Sequence, residues 1–381
     1  MKPADKSSTI PKWAIVLLGI LLILLIGTLL GAPTQAAQTY GPADPGLNPF
    51  LKARYAITLL RGKDQLLVSA QTTQIPRKFT IAPDESVSCV CRRLQEGSFT
   101  SSGALLCTYL VYSGLDRQIQ TGTFTLKPEL NSLEIANMIT DPAARDIAFI
   151  IYSGWRLEEI AESIDLSGFT FSGQEFLAYA YAPPENIRTM LELPEGASLE
   201  GYLYPNTYSL EPQIDLESTV QIFLAHFRQN MQTPELLAGI QAQNLSFHEA
   251  LTLASIIERE TRADEEKATM ASVFYNRLAK GMPLQTDPTV QYALGFDPAG
   301  QTWWKPELTL ADLGVDSPYN TYLYLGLPPG PISNPSLASL EAVAFPVQSP
   351  YFYFRAKCDG SGTHAFSITY EEHLNNACPQ P

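Results

Sequence analysis

Residues 244–282 read NLSFHEALTLASIIERETRADEEKATMASVFYNRLAKGM, and this stretch decides the reading of the chain. Ser246 followed by Glu249 is a capping-box pattern, so a helix is expected to start there. At helical spacing Phe247, Leu251, Ala254 and Glu258 fall within about 40° of one another. Leu253, Ile256 and Glu260 gather on nearly the opposite side, and only Thr252, Ser255 and Arg259 form a polar stripe. A helix apolar over most of its circumference is a buried one. Glu258 and Glu260 therefore follow apolar rows into surroundings of low dielectric. Burial disfavours a carboxylate, so it raises the pKa and keeps the acid protonated near neutral pH. Periodicity does not choose between the two glutamates. Both also fit a helix end where they pair with Arg259 or Arg262.

The rest of the chain sets the frame. It has 381 residues, more than one typical domain. Hydrophobic residues make up 45% and charged residues 17%, a globular profile, and the net charge is -14. No cluster of Lys and Arg appears, which argues against a nucleic-acid partner. Residues 13–32, WAIVLLGILLILLIGTLLGA, carry no charge and match the length a helix needs to cross the roughly 30 Å hydrocarbon core. Lys2, Lys6 and Lys12 precede them, which predicts a cytoplasmic tail over 1–12, a transmembrane helix over 13–32 and an extracytoplasmic remainder. A cleaved signal peptide is the alternative, but this apolar core is longer than the roughly 7–15 residues of such signals. Of the five cysteines, Cys358 with Cys378 can tie down the C-terminal tail, and Cys107 can pair with Cys89 or Cys91. Cys-x-Cys is not a zinc spacing. No metal is expected.

After the apolar run, residues 33–54 hold four prolines and no apolar periodicity, which predicts a stiff, extended linker. YAITLL (55–60), a turn at Arg61–Asp64 and QLLVSA (65–70) read as a hairpin. FTIAPDESVSCVCRRL (79–94) and AFIIYSGWRLEEIAESI (148–164) share a plan of short strand, polar turn and amphipathic helix, less clearly repeated in GTFTLKPELNSLEIANMI (122–139). Such units suit an α+β fold. STVQIFLAHFRQNM (218–231) reads as a helix, and YFYFRAK and HAFSIT near the C-terminus read as strands. The expected division is a membrane-proximal module over 55–198 and a larger mixed α+β domain over 199–381.

Four segments together go further: LASIIERET (253–261), VFYNRLAKGMPLQTDPTVQYALG (273–295), SPYNTYLYLGLPPGPISNPS (317–336) and FRAKCDGSGTHAF (354–366). In order and spacing they resemble the signature segments of the endolytic murein transglycosylase family, also called YceG-like. LEGYLYPNTY (199–208) is similar to the segment just upstream, and the strand-helix module resembles the family's LysM-like region. The resemblance is dense over 199–370 and loose over 79–164. IAPDESVSCVC departs from it by lacking a Pro-Glu-Gly turn, whereas the second copy keeps Gly154. The resemblance implies lytic cleavage of the β-1,4 bond between N-acetylmuramic acid and N-acetylglucosamine within peptidoglycan strands, leaving 1,6-anhydro ends. It implies a plasma-membrane protein with an extracytoplasmic catalytic domain, peptidoglycan synthases as partners, and no cofactor. It also places the catalytic glutamate on Glu258.

Because the attacking hydroxyl belongs to the sugar, one carboxyl group suffices and no second carboxylate at about 5–5.5 Å is required. Matching segments supply candidate substrate-binding residues: Gln285, Thr286 and Asp287 in LQTDPTV, Tyr319 and Asn320 in SPYNTY, and Glu200 in LEGYLYP. Each has a structural alternative. Asp287 before Pro288 also suits a helix N-cap, Tyr319 and Asn320 a turn after Pro318, and Glu200 a structural role. Tyr202, Tyr204 and Tyr208 offer faces to sugars or fill a core, and His364 reads as supporting. The run 326–336, GLPPGPISNPS, is neither helix nor central strand and predicts a rigid loop forming one wall of a cleft. The four histidines form no HExxH pair, and no G-x-S-x-G appears, which disfavours a zinc peptidase and a serine hydrolase. A hydrolytic muramidase and a non-catalytic wall-binding scaffold are the remaining alternatives.

Overall fold

The computed structural model describes residues 12–70 and 75–378. The expected tail thus lies outside the described residues except for Lys12. The chain divides at Asp146/Ile147 into two compact units, both mixtures of helix and small antiparallel sheets.

In the first unit, α1 (Lys12–Tyr40) contains the apolar run. Many of its side chains between residues 14 and 29 are outside the description. Among the described residues no helix is long and apolar enough to cross a membrane. Two expectations are corrected here. The linker is not extended: α1 runs through Pro33 to Tyr40, because Ala32, Ala36 and Tyr40 recur every four residues and are all buried. Tyr40 Oη donates to the Leu59 carbonyl at 2.9 Å. The hairpin over 55–70 is instead helical, with α2 (Pro49–Arg61) followed by α3 (Lys63–Leu67). Asn48 caps α2 by accepting from Leu51 N–H, Pro49 opens it, and Ala53, Ala56 and Leu59 are buried at spacings of three.

The repeating plan is then met in full. β1 (Arg77–Ile81), α4 (Val87–Glu96), α5 (Gly103–Ser113), β2 (Gly122–Leu126) and α6 (Ser132–Thr140) follow in order. β1 and β2 pair antiparallel with Phe79 opposite Phe124. Cys91–Cys107 ties α4 to α5, choosing between the two pairings open to Cys107 and leaving Cys89 as the free thiol.

The second unit opens with β3 (Ile147–Ile151), α7 (Leu157–Ser167), α8 (Gly173–Tyr181), α9 (Glu185–Leu191) and β4 (Asn206–Leu210). β3 pairs antiparallel with β4, with Phe149 opposite Tyr208. That pairing moves the expected boundary at 198/199, because the strand-helix copy at 148–164 closes its sheet only with residues beyond it. Next come α10 (Leu216–Met231), α11 (Pro234–Ala242), α12 (Phe247–Glu260), α13 (Asp264–Ala279) and α14 (Asp287–Leu294). The unit ends with α15 (Leu337–Ala344), β5 (Tyr353–Ala356), β6 (His364–Ser367) and α16 (Tyr370–Asn375). β5 and β6 pair antiparallel, and Cys358–Cys378 fastens the tail as expected.

α12 is capped by Ser246 with the reciprocal Glu249 bond, and every residue from Ala250 to Ile257 is buried. It is the spine of the second unit, packed against α13 and α15. Around it Phe223 stacks on Phe149 at 5.8 Å and meets Tyr208 at 4.6 Å. Tyr202 and Tyr208 are core residues, 1% and 3% exposed, so they do not present faces to sugars. Replacing Phe223 by Ala should destabilise this unit by about 3–5 kcal/mol, read as a lower denaturant midpoint for its transition. A midpoint unchanged would place the core elsewhere.

Candidate active site

The last turn of α12 brings Glu258 out of the core and against the N-terminus of α15. Its Oε2 accepts four hydrogen bonds: Ser336 N–H at 3.0 Å, Ser336 Oγ at 2.5 Å, Ser339 Oγ at 2.5 Å and Lys267 Nζ at 3.2 Å. Ser336 is also the N-cap of α15, so the carboxylate sits where a helix carries partial positive charge. Lys267, on α13, is 4% exposed and also pairs with Asp264 at 2.7 Å. The loop that delivers Ser336 is pinned along its length. Ile332 N–H donates to Ser255 Oγ at 3.0 Å, and Leu203 N–H donates to Asn334 Oδ1 at 2.8 Å. Asn334 N–H and Gly154 N–H exchange bonds with the Trp155 and Asn334 carbonyls, at 2.7 and 2.8 Å. Gly154 has φ of +78°, and a Cβ there would lie 3.2 Å from Arg259 Nη1 and 3.8 Å from Glu258 Cγ. The positive φ favours glycine there, and a side chain would also crowd the Arg259 guanidinium.

This geometry reverses one expectation. Burial does push the Glu258 acid upward, but the two serine hydroxyls, Lys267 and the Ser336 amide outweigh it, and its pKa lies below the ordinary carboxylate value. Hydrogen bonds to the charged form and a neighbouring cation both favour ionisation. Glu258 therefore rests as a carboxylate. Glu260 behaves as expected of a buried acid. Burial, reinforced by Asp287 and opposed by Arg277 and Arg259, pushes it to about 8.

The other candidates separate into groups. Gln285 is exposed, with φ of +49°, and its N–H donates to the Thr321 carbonyl at 3.1 Å. Asp287 is exposed, and accepts from Tyr322 Oη at 2.6 Å. It is the first residue of α14, so the N-cap is Thr286. Two candidates are buried. Thr286 is 1% exposed and its hydroxyl bonds Thr289 and Thr321. Asn320 is fully buried, its amide donating to the Leu313 and Val315 carbonyls while its oxygen accepts from Tyr322 N–H. Both hold backbone turns, because every polar atom is committed. Tyr319 packs against Tyr292 at 4.8 Å, and with Glu200 lines a cavity of about 320 Å³. His364 is supporting, its Nδ1–H donating to Glu266 Oε2 at 2.8 Å. Lys267, Ser336, Ser339 and Gly154 surround Glu258 without having stood among the candidates. Ser-x-x-Ser ahead of an apolar run was a cap signal available in the sequence, whereas Lys267 carried none.

Ser336→Ala should destabilise the second unit by about 1–2 kcal/mol, since it removes both a helix cap and a bond to Glu258. Denaturant titration measures this, and no change would mean that the capping bond carries no net stability.

The second unit thus pairs a carboxyl group held at a helix terminus with a separate tyrosine-lined cavity, on an α+β scaffold. Comparison with known proteins identifies the lineage, and the chain belongs to the YceG-like family, whose pattern matches residues 79–378. It is 31% identical over 328 residues to the endolytic murein transglycosylase of Bacillus subtilis, covering 82% of this chain and 87% of that one. It is 28% identical over 305 residues to the endolytic murein transglycosylase of Streptococcus pneumoniae, covering 74% of this chain and 54% of that longer protein. A yceG-like protein from Listeria monocytogenes, solved by crystallography, superposes with a TM-score of 0.55 at 32% identity, covering 80% of this chain and 99% of that one.

Proposed function

We propose that this chain is an endolytic murein transglycosylase that cleaves the β-1,4 bond between N-acetylmuramic acid and N-acetylglucosamine inside peptidoglycan strands and leaves 1,6-anhydro ends. The observation that carries the reading is the Glu258 carboxyl: it stands in the LASIIERET segment, at the end of a buried helix, with Oε2 clamped and the residue adjacent to Gly154. In the acid form Glu258 protonates the glycosidic oxygen as the bond to C1 breaks. The carboxylate so formed then takes the proton of the muramyl 6-hydroxyl as that oxygen bonds to C1, which restores the acid and needs no water. General acid–base catalysis of this kind contributes about 10²–10⁴ in rate. Gln285 and Asp287, both exposed, are the proposed sugar contacts beside Glu260 and Tyr322.

The charge-free run 13–32 and its flanking lysines support a single membrane anchor with the catalytic unit outside the plasma membrane. The order β1, α4, α5, β2 supports a LysM-like module, and peptidoglycan synthases are the proposed partners. The endolytic part is tested with the full chain in detergent on uncrosslinked glycan strands. Internal cuts give intermediate lengths before any disaccharide accumulates. Disaccharides released from the start would make the enzyme exolytic.

A further inference from the structure

The cavity beside Tyr319 has a floor that the proposed reaction does not use. Glu200, 2% exposed, contributes its carboxyl group there. Oε2 accepts from Leu157 N–H at 3.2 Å and from Tyr292 Oη at 3.4 Å, whereas Oε1 is buried without a partner. Leaving a buried polar atom unpaired is costly, so such an atom on a residue lining a cavity marks a place where a ligand can complete the bond. The opposite wall is closed chemically. His248 Nε2–H must donate to the Pro329 carbonyl at 3.0 Å, since a carbonyl only accepts, and its Nδ1 is hydrogen-bonded to Tyr202 Oη at 2.9 Å. Both ring nitrogens are engaged. Gly330 forms the rim, where an added Cβ would come within 3.3 Å of His248 Nε2 and 3.5 Å of Tyr319 Oη.

The charges around Glu200 are already matched to each other. Arg156 grips Glu158 through two bonds, at 2.6 and 2.7 Å, while Tyr181 Oη donates to the same Glu158 at 2.7 Å. Glu195 sits on the exposed rim. Burial, with Glu158 adding and Arg156 opposing, raises the Glu200 acid to about 8, so at neutral pH it carries its proton. With Oε2 accepting from two donors, that proton belongs on Oε1. The floor thus offers one O–H donor between tyrosine walls, in a cavity at the lower end of the about 300–1,000 Å³ typical of ligand sites. An anion is disfavoured there by Glu195 and Glu158, and a compact neutral group with a strong carbonyl acceptor fits the O–H donor.

We propose that this cavity receives the acetamido group of one amino sugar of the glycan, with the Glu200 acid donating to the amide oxygen and Tyr319 covering its methyl side. This rests on the transglycosylase reading and names a specificity site for it. An acetylated sugar satisfies Oε1 with its amide oxygen, whereas a de-N-acetylated sugar has no such acceptor and brings only donors to an O–H floor.

The test uses the full chain carrying Glu258→Gln, so that no turnover occurs, and calorimetric titration with the β-1,4-linked tetramer of N-acetylglucosamine and with its de-N-acetylated counterpart. At pH 6.5 the acetylated tetramer should bind at least about tenfold tighter. Its affinity should fall about tenfold or more between pH 6.5 and 9.5, as Glu200 loses the donated proton. Adding Glu200→Gln should leave binding strong and flat with pH, because the amide N–H₂ donates at every pH. Adding Gly330→Val should weaken binding about tenfold throughout, with the melting temperature reporting that the protein is folded. Equal binding of the two tetramers, a flat profile with Glu200 present, or indifference to Gly330→Val would each overturn the proposal. Anhydro ends made by the unmodified chain, together with any of those results, would remove this site and leave the reaction standing. No strand cleavage at all would remove the reaction itself.

Discussion

Glu258→Gln is expected to lower the rate of strand cleavage by about 10²–10⁴-fold while the protein stays folded. Gln keeps the shape and an oxygen that accepts from Ser336 and Ser339, but it neither gives nor takes a proton. The comparison with Glu260→Gln makes the result specific. Glu260 is pushed to about 8 by burial and Asp287, which on charge alone makes it the better standing acid. Glu258 is the one clamped at the N-terminus of α15, facing Gly154. Glu260→Gln should therefore keep activity within about tenfold. A loss confined to the Glu260 variant would transfer the acid role two residues along the helix.

Lys267→Met should move the pH–rate profile of strand cleavage upward by about one unit or more. An opposite charge within hydrogen-bonding distance lowers a carboxyl pKa by about 1–3 units, and Lys267 Nζ stands 3.2 Å from Glu258 Oε2. The proposed first step needs Glu258 protonated. With its pKa lowered, kcat/KM in the unmodified enzyme should rise as pH falls toward that value. Removing the cation raises the pKa and carries the whole rise to higher pH. The same contact supports the fold. A carboxyl whose folded pKa is depressed stabilises the protein above its unfolded pKa, and that contribution is lost as pH falls through the folded value. Breaking one side of a buried pair costs up to about 3–5 kcal/mol, so melting at neutral pH should fall as well. A variant that melts lower yet keeps the same profile would make Lys267 purely structural. The acid form needed for chemistry and the ionised form that secures α15 are thus in opposition at one atom.

What the sequence made legible follows from which interactions are local. The cap at Ser246, the burial of Ala250–Ile257 and the strand-turn-helix copies depend on neighbours a few residues apart, and the structure carries all of them. YAITLL misled because β-branched and apolar residues mimic a short strand, while burial of Ala53, Ala56 and Leu59 against other helices fixes a helix. Pro33 misled in the same way, since packing of Ala32, Ala36 and Tyr40 overrides a residue that lacks an N–H. Thr286 and Asn320 stood in the right segments, but their partners come from Thr321, Leu313 and Val315, which only tertiary structure supplies. For Glu258 the helical pattern carried burial but not the clamp. Ser336, Ser339 and Lys267 arrive from two other helices and reverse the sign of its shift.

The central claim is that Glu258 alone carries a transfer to the sugar's own hydroxyl, and mass spectrometry of the new strand ends tests it most directly. The full chain in detergent, given uncrosslinked glycan, should produce ends lighter by one water than reducing N-acetylmuramic acid, and the Glu258→Gln variant should produce almost none. Reducing ends from the unmodified enzyme, or anhydro ends that persist in the variant, would contradict the account.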